Sequence, residues 1–103
     1  MLTSKQRAFL RSLAMNIDTI LMIGKGGMSD QIIKQADDAL RARELIKGKV
    51  LETAEGDSRE YAEQIALETN SEVVQVIGSK FVIFRRNPDE PKIELPKAKK
   101  TRK

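Results

Sequence analysis

The residues with the clearest chemical potential form a short run, Gly24-Lys25-Gly26-Gly27, which follows an apolar segment at residues 19–23. Glycines let the backbone reach conformations with positive φ and let another molecule approach without meeting a Cβ. Amide groups of such a turn stay accessible, Lys25 adds a positive charge, and a helix beginning near Ser29 adds the positive end of its dipole. This arrangement predicts a binding site for an anion, and a phosphate backbone is the anion that fits it best.

The spacing of the glycines separates three kinds of phosphate-binding loop. The pattern G-x-x-x-x-G-K-[ST] is absent, because Lys25 lies between glycines and is followed by neither Ser nor Thr. The dinucleotide pattern G-x-G-x-x-G has Ser29 in place of its third glycine, and the chain is too short for two mononucleotide-binding halves. The third pattern, G-x-x-G, holds nucleic-acid backbones, and residues 24–27 satisfy it. A plain structural turn is the alternative.

The composition argues against catalysis and against metal or disulfide chemistry. The chain of 103 residues has no cysteine and no histidine, which excludes disulfides, Cys/His zinc sites and the usual general base near neutral pH. Two pairs of carboxylates, Asp37 with Asp38 and Glu60 with Glu63, accompany no catalytic motif. We therefore expect a protein that is not an enzyme and has no catalytic residue, metal site or cofactor.

Charge is distributed unevenly along the chain. Residues 1–50 contain nine Lys or Arg against five acidic residues, whereas residues 52–72 contain seven acidic residues and only one basic residue, Arg59. Residues 97–103 add five basic residues and no acid, and the net charge of the whole chain is +4. This distribution predicts a basic side that faces a polyanion and an acidic side that lies away from it.

Hydrophobic periodicity and capping residues predict three helices and four strands in the order α-β-α-β-α-β-β. The helices begin after Thr3, Ser29 and Asp57, which can accept hydrogen bonds from the first helical turn. The strands cover residues 19–23, 45–51, 73–77 and 80–85, and the last two form a hairpin around Gly78-Ser79. The order predicts an α/β protein of the α+β two-layer type, with a four-stranded mixed sheet and the second and third helices on one face. It leaves the position of the first helix open.

The length suits one compact domain, which we expect at residues 1–87. Residues 88–103 contain all three prolines and end in a basic run, so we expect a flexible tail outside the core. No apolar run approaches the roughly 20 residues of a membrane span. We therefore expect a cytoplasmic protein that makes no membrane contact.

Aromatic residues make up only 4% of the chain, which argues against recognition by base stacking. The sequence Phe81-Val82-Ile83-Phe84 after Gly78 matches the end of the RNP1 motif of RRM domains, but Ser79 replaces an aromatic residue of that motif. Phe81 and Phe84 would also lie on opposite faces of a strand, which favours core packing. Phosphate contacts and RNA shape should therefore dominate.

Several spaced segments are similar to those of one protein family. They are Leu2-Thr3-Ser4-Lys5-Gln6 with Leu10 and Leu13, Ile23-Gly24-Lys25-Gly26-Gly27, Glu44-Leu45-Ile46-Lys47, and Val74-Gln75-Val76-Ile77-Gly78 leading to Phe84-Arg85-Arg86. Over about residues 2–86 the chain resembles the CRM domain of chloroplast RNA splicing and ribosome maturation proteins, in its stand-alone bacterial YhbY-like form. The resemblance implies a fold similar to the C-terminal domain of a bacterial translation initiation factor, and RNA binding through the glycine loop and a basic surface.

Together these observations predict a monomeric RNA-binding protein. Bacterial members of the family that the chain resembles are associated with precursors of the large ribosomal subunit, so the resemblance implies ribosomal RNA as the partner. The expected RNA-binding residues are Gly24, Lys25, Gly26 and Gly27 of the loop and the cations Arg7, Arg11, Lys34, Arg41 and Lys47, to which the tail would add contacts. Two alternatives stay open: a small nucleotide-binding module that uses the same loop, and an interaction adaptor that acts through the basic tail.

Overall fold

The computed structural model describes residues 2–96 and contains three helices and four strands in the predicted order. The elements are α1 (Ser4–Ala14), β1 (Thr19–Ile23), α2 (Asp30–Arg43), β2 (Leu45–Val50), α3 (Ser58–Thr69), β3 (Glu72–Ile77) and β4 (Lys80–Phe84). The strands form one sheet in the order β1-β2-β4-β3, in which β1 and β2 are parallel and the other two neighbouring pairs are antiparallel. The predicted α+β class with a four-stranded mixed sheet is confirmed.

All three helices begin at the predicted capping residues. The side chain of Thr3 accepts a hydrogen bond from the Gln6 N–H, and the Gln6 side chain accepts one from the Thr3 N–H. Asp57 and Glu60 form the same reciprocal pair at α3, and Ser29 caps α2. These side chains satisfy N–H groups that the first turn of a helix leaves without a partner. The cap of α2 also fixes the point at which the preceding loop ends.

The larger apolar cluster lies on the face of the sheet that α2 and α3 cover, as predicted. Its buried members are Leu21, Ile23, Ile46, Val50, Phe81 and Ile83 from the strands, with Ala36, Leu40, Tyr61, Ala62 and Ile65 from the helices. The ring of Phe81 fills the space that a side chain at position 48 would need. A Cβ on Gly48 would lie only 2.3 Å from the Phe81 Cζ. Any larger residue at position 48 would displace the ring.

The first helix, whose position the sequence leaves open, packs on the opposite face of the sheet. Arg7 donates a hydrogen bond to the Val73 carbonyl and lies 4.0 Å from the carboxylate of Glu72, which ties α1 to β3. The buried residues on this face are Leu10 and Ala14 of α1 with Leu45, Val74, Val82 and Phe84 of the strands. The two faces of the sheet therefore have separate apolar clusters, since successive side chains of a strand alternate between faces.

The C-terminal segment (residues 87–96) overlaps the tail that the sequence predicts from residue 88, and part of this segment packs against the fold. Ile93 and Leu95 pack against the α1 cluster, and the Gln6 side-chain amide donates to the Pro96 carbonyl at 2.9 Å. These contacts attach the end of the described segment to the α1 side of the sheet. The basic run of the predicted tail, residues 97–103, lies outside the described residues.

Glu44, directly after α2, holds the C-terminal segment in place. Its side chain is fully buried, and its carboxylate accepts three backbone hydrogen bonds, from Asn87 at 2.6 Å and from Lys92 and Ile93 at 2.7 Å. A carboxylate removed from water needs such donors, because its desolvation is otherwise very unfavourable. Glu44 also has a φ of 67°, which residues with a Cβ rarely adopt. The three bonds therefore offset a locally strained backbone.

The substitution Glu44→Gln should lower the free energy of unfolding by about 1.5–3 kcal/mol, because the amide group would face N–H donors and leave one of them without an acceptor. Urea unfolding followed by circular dichroism measures this change. Amide hydrogen exchange should also accelerate at Lys92 and Ile93 and stay unchanged in α3. Unchanged exchange at Lys92 and Ile93 would show that the carboxylate does not hold the segment.

Candidate nucleic-acid interface

The glycine loop (residues 24–27) forms a tight turn at the carboxyl end of β1. The N–H of Gly27 donates to the Gly24 carbonyl at 2.9 Å, and Gly27 has a φ of 64°, which glycine adopts without strain. On the neighbouring chain segment, the N–H of Leu51 donates to the Ile23 carbonyl at 2.8 Å. The sheet pairing therefore continues up to the first glycine, and the middle of the loop extends beyond the edge of the sheet.

Lys25 and Gly26, the two residues in the middle of the loop, are exposed. Within residues 2–96, their backbone N–H groups donate to no acceptor. A Cβ on Gly26 would meet no atom within 4 Å, so the space in front of this residue is open. The N-terminus of α2 begins three residues after the loop and adds its positive dipole end. The loop thus offers two free N–H groups and one ammonium group to an anion.

The hydroxyl of Tyr61 lies beside the loop and is not among the predicted site residues. Tyr61 is 9% exposed, and its hydroxyl makes no hydrogen bond within the described part of the chain. A Cβ on Gly27 would lie 3.3 Å from the hydroxyl oxygen, and a Cβ on Gly56 would lie 3.4 Å from it. Glycine at these two positions therefore keeps the space around the hydroxyl free. Tyr61 is the chain's single tyrosine, which is the one sequence feature that could have drawn attention to it.

The predicted cations of α2 are neutralised by acidic neighbours on the same helix. The ammonium of Lys34 lies 3.2 Å from the Asp38 carboxylate, and the guanidinium of Arg41 lies 2.9 Å from the Asp37 carboxylate. Lys34 lines a groove between α2 and α3, but the groove also contains Asp30, Asp37 and Glu68. Arg41 does not line this groove. The α2 cations are therefore not part of a purely basic surface.

Asp37 keeps its negative charge through a second partner, Arg85. The Arg85 guanidinium donates to the Asp37 carboxylate at 2.6 Å and to the Thr69 carbonyl at 2.8 Å. The hydrogen bond from Arg85 holds the pKa of Asp37 below its ordinary value, and the nearby charges of Arg85, Arg41 and Lys34 act in the same direction against the effect of burial. Asp37 therefore remains available to pair with Arg41.

The remaining predicted cations lie on the α1 side of the sheet. Arg7 is half-buried, and its guanidinium makes the contacts with β3 described above. Arg11 and Lys47 line one cavity between α1 and the sheet. The five predicted cations thus occupy three separate places: Lys34 and Arg41 lie beside Asp38 on α2, Arg7 lies between α1 and β3, and Arg11 and Lys47 line the cavity.

A further group of side chains on the α1 side is not among the predicted site residues. Strand pairing places Met22 opposite Lys49, Lys49 opposite Lys80, and Lys80 opposite Ile77, so that these four form one cross-strand row. The row crosses the sheet at the end where the glycine loop begins. The alternation of Lys47, Gly48 and Lys49 in β2 is the sequence signal that could have identified Lys49. The two-residue hairpin turn places Lys80 at the start of β4, but its position opposite Lys49 depends on the pairing of β4 with β2, which the sequence does not reveal.

A family model for the CRS1/YhbY (CRM) domain matches residues 2–85. The chain belongs to this family. The matched range includes every helix and strand and the glycine loop, and the C-terminal segment lies beyond it. The resemblance seen in the sequence is therefore confirmed.

Individual relatives of this CRM-domain protein agree with the family assignment. "Probable RNA-binding protein YqeI" of Bacillus subtilis is 45% identical over 93% of the chain and 100% of the relative. A protein of Haemophilus influenzae named "RNA-binding protein" is 33% identical over 93% of the chain and 96% of the relative. A Staphylococcus aureus protein solved in solution, whose description gives RNA binding as its expected activity, matches with a TM-score of 0.77 and 54% identity. That match covers 93% of this chain and all of the other.

Proposed function

We propose that this CRM-domain protein binds RNA without acting as an enzyme, and that the glycine loop holds the sugar-phosphate backbone. The observation that carries the proposal is the pair of free N–H groups at Lys25 and Gly26, in front of the N-terminus of α2. The names of the relatives, which describe RNA-binding proteins, support the ligand class. Within residues 2–96, no helix is both long and apolar enough to cross a membrane.

The loop can hold a phosphate by short-range hydrogen bonds and by charge. The two N–H groups donate to phosphate oxygens, and the missing side chain at Gly26 lets the RNA backbone come within hydrogen-bond distance. The ammonium of Lys25 and the dipole of α2 add attraction that depends on salt. No group in this set distinguishes one base from another, so the loop supplies affinity and position rather than sequence specificity.

The Tyr61 hydroxyl is the third donor that we assign to this site. It lies beside Gly27 and lacks a hydrogen-bond partner within residues 2–96. A phosphate oxygen or a ribose hydroxyl of bound RNA can supply that partner. The exposed carboxylates Glu52 and Glu55 lie on the segment that leads to α3, so we expect the RNA to bind at the edge of the sheet, where the loop and the Tyr61 hydroxyl lie, and to continue towards the α1 side.

We further propose that the RNA is ribosomal RNA in precursors of the large ribosomal subunit. The family to which the chain belongs supports this target, since bacterial members of this type are associated with those precursors. The free N–H groups of the loop can donate to a phosphate of any folded RNA. The choice of RNA therefore depends on other parts of the protein surface.

The double substitution Lys25→Ala with Gly26→Asp should weaken RNA binding by about tenfold or more, because it replaces an attractive charge with a repulsive one at the phosphate. Fluorescence anisotropy with a labelled fragment of large-subunit ribosomal RNA measures the affinity. A structured RNA of equal length and unrelated sequence tests whether ribosomal RNA is the target. If it is, the wild type should bind the unrelated RNA more weakly than the ribosomal fragment.

The matched control for the loop is Arg59→Glu, which changes the net charge by the same two units on the exposed side of α3. Gly26 has open space and no positive φ, so the loop variant should unfold at the same urea concentration as the wild type. Equal RNA affinities of the loop variant and the control would show that the loop is not part of the binding site. Titration with mononucleotides tests the alternative of a small nucleotide-binding module.

The substitution Tyr61→Phe should weaken RNA binding by about tenfold, the effect of losing one hydrogen bond to a charged group, while stability stays unchanged. Stability is unaffected because the hydroxyl has no partner among residues 2–96 in the free protein. Anisotropy and urea unfolding of the same preparation separate the two effects. Lower stability with unchanged affinity would show that the hydroxyl has a structural role instead.

A further inference from the structure

One end of the sheet face that carries α1 is open to solvent. The open end contains the cross-strand row of Met22, Lys49, Lys80 and Ile77. Met22 is 56% exposed and Ile77 is 63% exposed, so a large part of each apolar side chain is in contact with solvent. Neither side chain belongs to the apolar clusters of the core. The row is therefore a surface that the described fold does not cover.

A shallow cavity of about 180 Å³ lies between this row and the C-terminal part of α1. Its lining includes Arg11 and Met15 of α1 and Lys47, Ile77 and Lys80 of the sheet. Met15 is 80% exposed and adds a third apolar side chain next to the row. The row and the cavity together form one concave surface that mixes long cations with flexible apolar groups.

Among the residues that the structure describes, the charged side chains of this surface are all positive. Arg11, Lys47, Lys49 and Lys80 form no ion pair with residues 2–96, in contrast to Lys34 and Arg41 of α2 and Arg59 of α3. The lining of the cavity contains no carboxylate. Lys49 and Lys80 are also direct cross-strand neighbours, where like charges repel. A polyanion bound here would relieve that repulsion.

The apolar side chains favour an unpaired strand over a duplex as the occupant. Met15, Met22 and Ile77 offer apolar contacts that bases can use only when they are not stacked inside a helix. A duplex presents its phosphates to a protein surface and hides the faces of its bases, so it would leave these three side chains in water. Bases against the apolar groups and phosphates on the lysines would satisfy both parts of the surface.

The row is also continuous with the glycine loop. Met22 precedes Gly24 by two residues, or about 7 Å along an extended strand. The row spans four strands, about 14 Å at the usual spacing between strands. Four-stranded sheets of other RNA-binding domains accommodate two or three bases on one face. An RNA chain whose backbone is held at the loop can therefore continue directly over the row.

We propose that the cross-strand row and the adjacent cavity bind two or three unpaired nucleotides of RNA. The proposal rests on the proposed function, since it extends the path of an RNA whose backbone the glycine loop holds. Met22, Ile77 and Met15 contact the bases, and Lys47, Lys49, Lys80 and Arg11 contact the phosphates. The surface thereby selects RNA with a single-stranded segment next to a structured one.

Two RNA probes test this proposal: a blunt hairpin, and the same hairpin with a four-nucleotide unpaired extension. The wild type should bind the extended probe about tenfold more tightly than the blunt one. The double substitution Lys49→Gln with Lys80→Gln should remove this preference and reduce the salt slope for the extended probe by about two. Met22→Ser with Ile77→Ser should reduce the preference, because the bases lose their apolar contacts, and should lower the salt slope less than the lysine variant does.

The control is Arg43→Gln with Arg59→Gln, which removes two exposed cations of α2 and α3 and should keep the preference for the extended probe. Met22, Ile77 and Lys80 are exposed and Lys49 is half-buried, so circular dichroism of each variant checks the fold. The proposal would be overturned if the row variants lost affinity equally for both probes. It would also be overturned if they lost affinity for neither probe, and that result would point to a different partner for this surface.

The same probes separate this proposal from the proposed function. Loop substitutions that weaken both probes, together with row substitutions that weaken neither, would support the loop and overturn the row. Row substitutions that remove the preference, together with loop substitutions without effect, would support the row and overturn the loop.

Discussion

The parallel pairing of β1 with β2 is the constraint on which the proposed site depends. Because the two strands run in the same direction, their carboxyl ends meet at one edge of the sheet, and the bond from Leu51 to the Ile23 carbonyl completes the pairing beside the first glycine. A parallel connection requires a crossover helix, and α2 begins at the same edge. The free amides of the loop and the N-terminus of α2 are thus brought together by the topology.

The alternation of side chains in β2 separates the charges of the molecule. Ile46 and Gly48 face the helices α2 and α3, whereas Lys47 and Lys49 lie on the α1 side. The acidic residues of α3 therefore lie on the far side of the sheet from the lysines. The glycine loop stands at the edge between these two sides, which gives a bound polyanion one favourable direction of approach.

Features that depend on neighbouring residues could be predicted from the sequence, and features that depend on distant contacts could not. The cap at Ser29 and the exposed loop before it follow from residues within one turn of each other. The burial of Glu44 depends on N–H groups 43 to 49 residues further along the chain, which no local pattern reveals. The ion pair of Lys34 with Asp38 could have been read from its four-residue spacing. The place of Lys80 depends on the register of three strands.

The central claim is that free backbone amides of the glycine loop hold an RNA phosphate. The most direct test is a titration of the ¹⁵N-labelled protein with large-subunit ribosomal RNA fragments, followed by the amide signals in ¹H–¹⁵N spectra. We expect the signals of Lys25 and Gly26 to shift among the first and furthest, with little change on the exposed face of α3. Saturating RNA that leaves these two signals in place while others shift would contradict it.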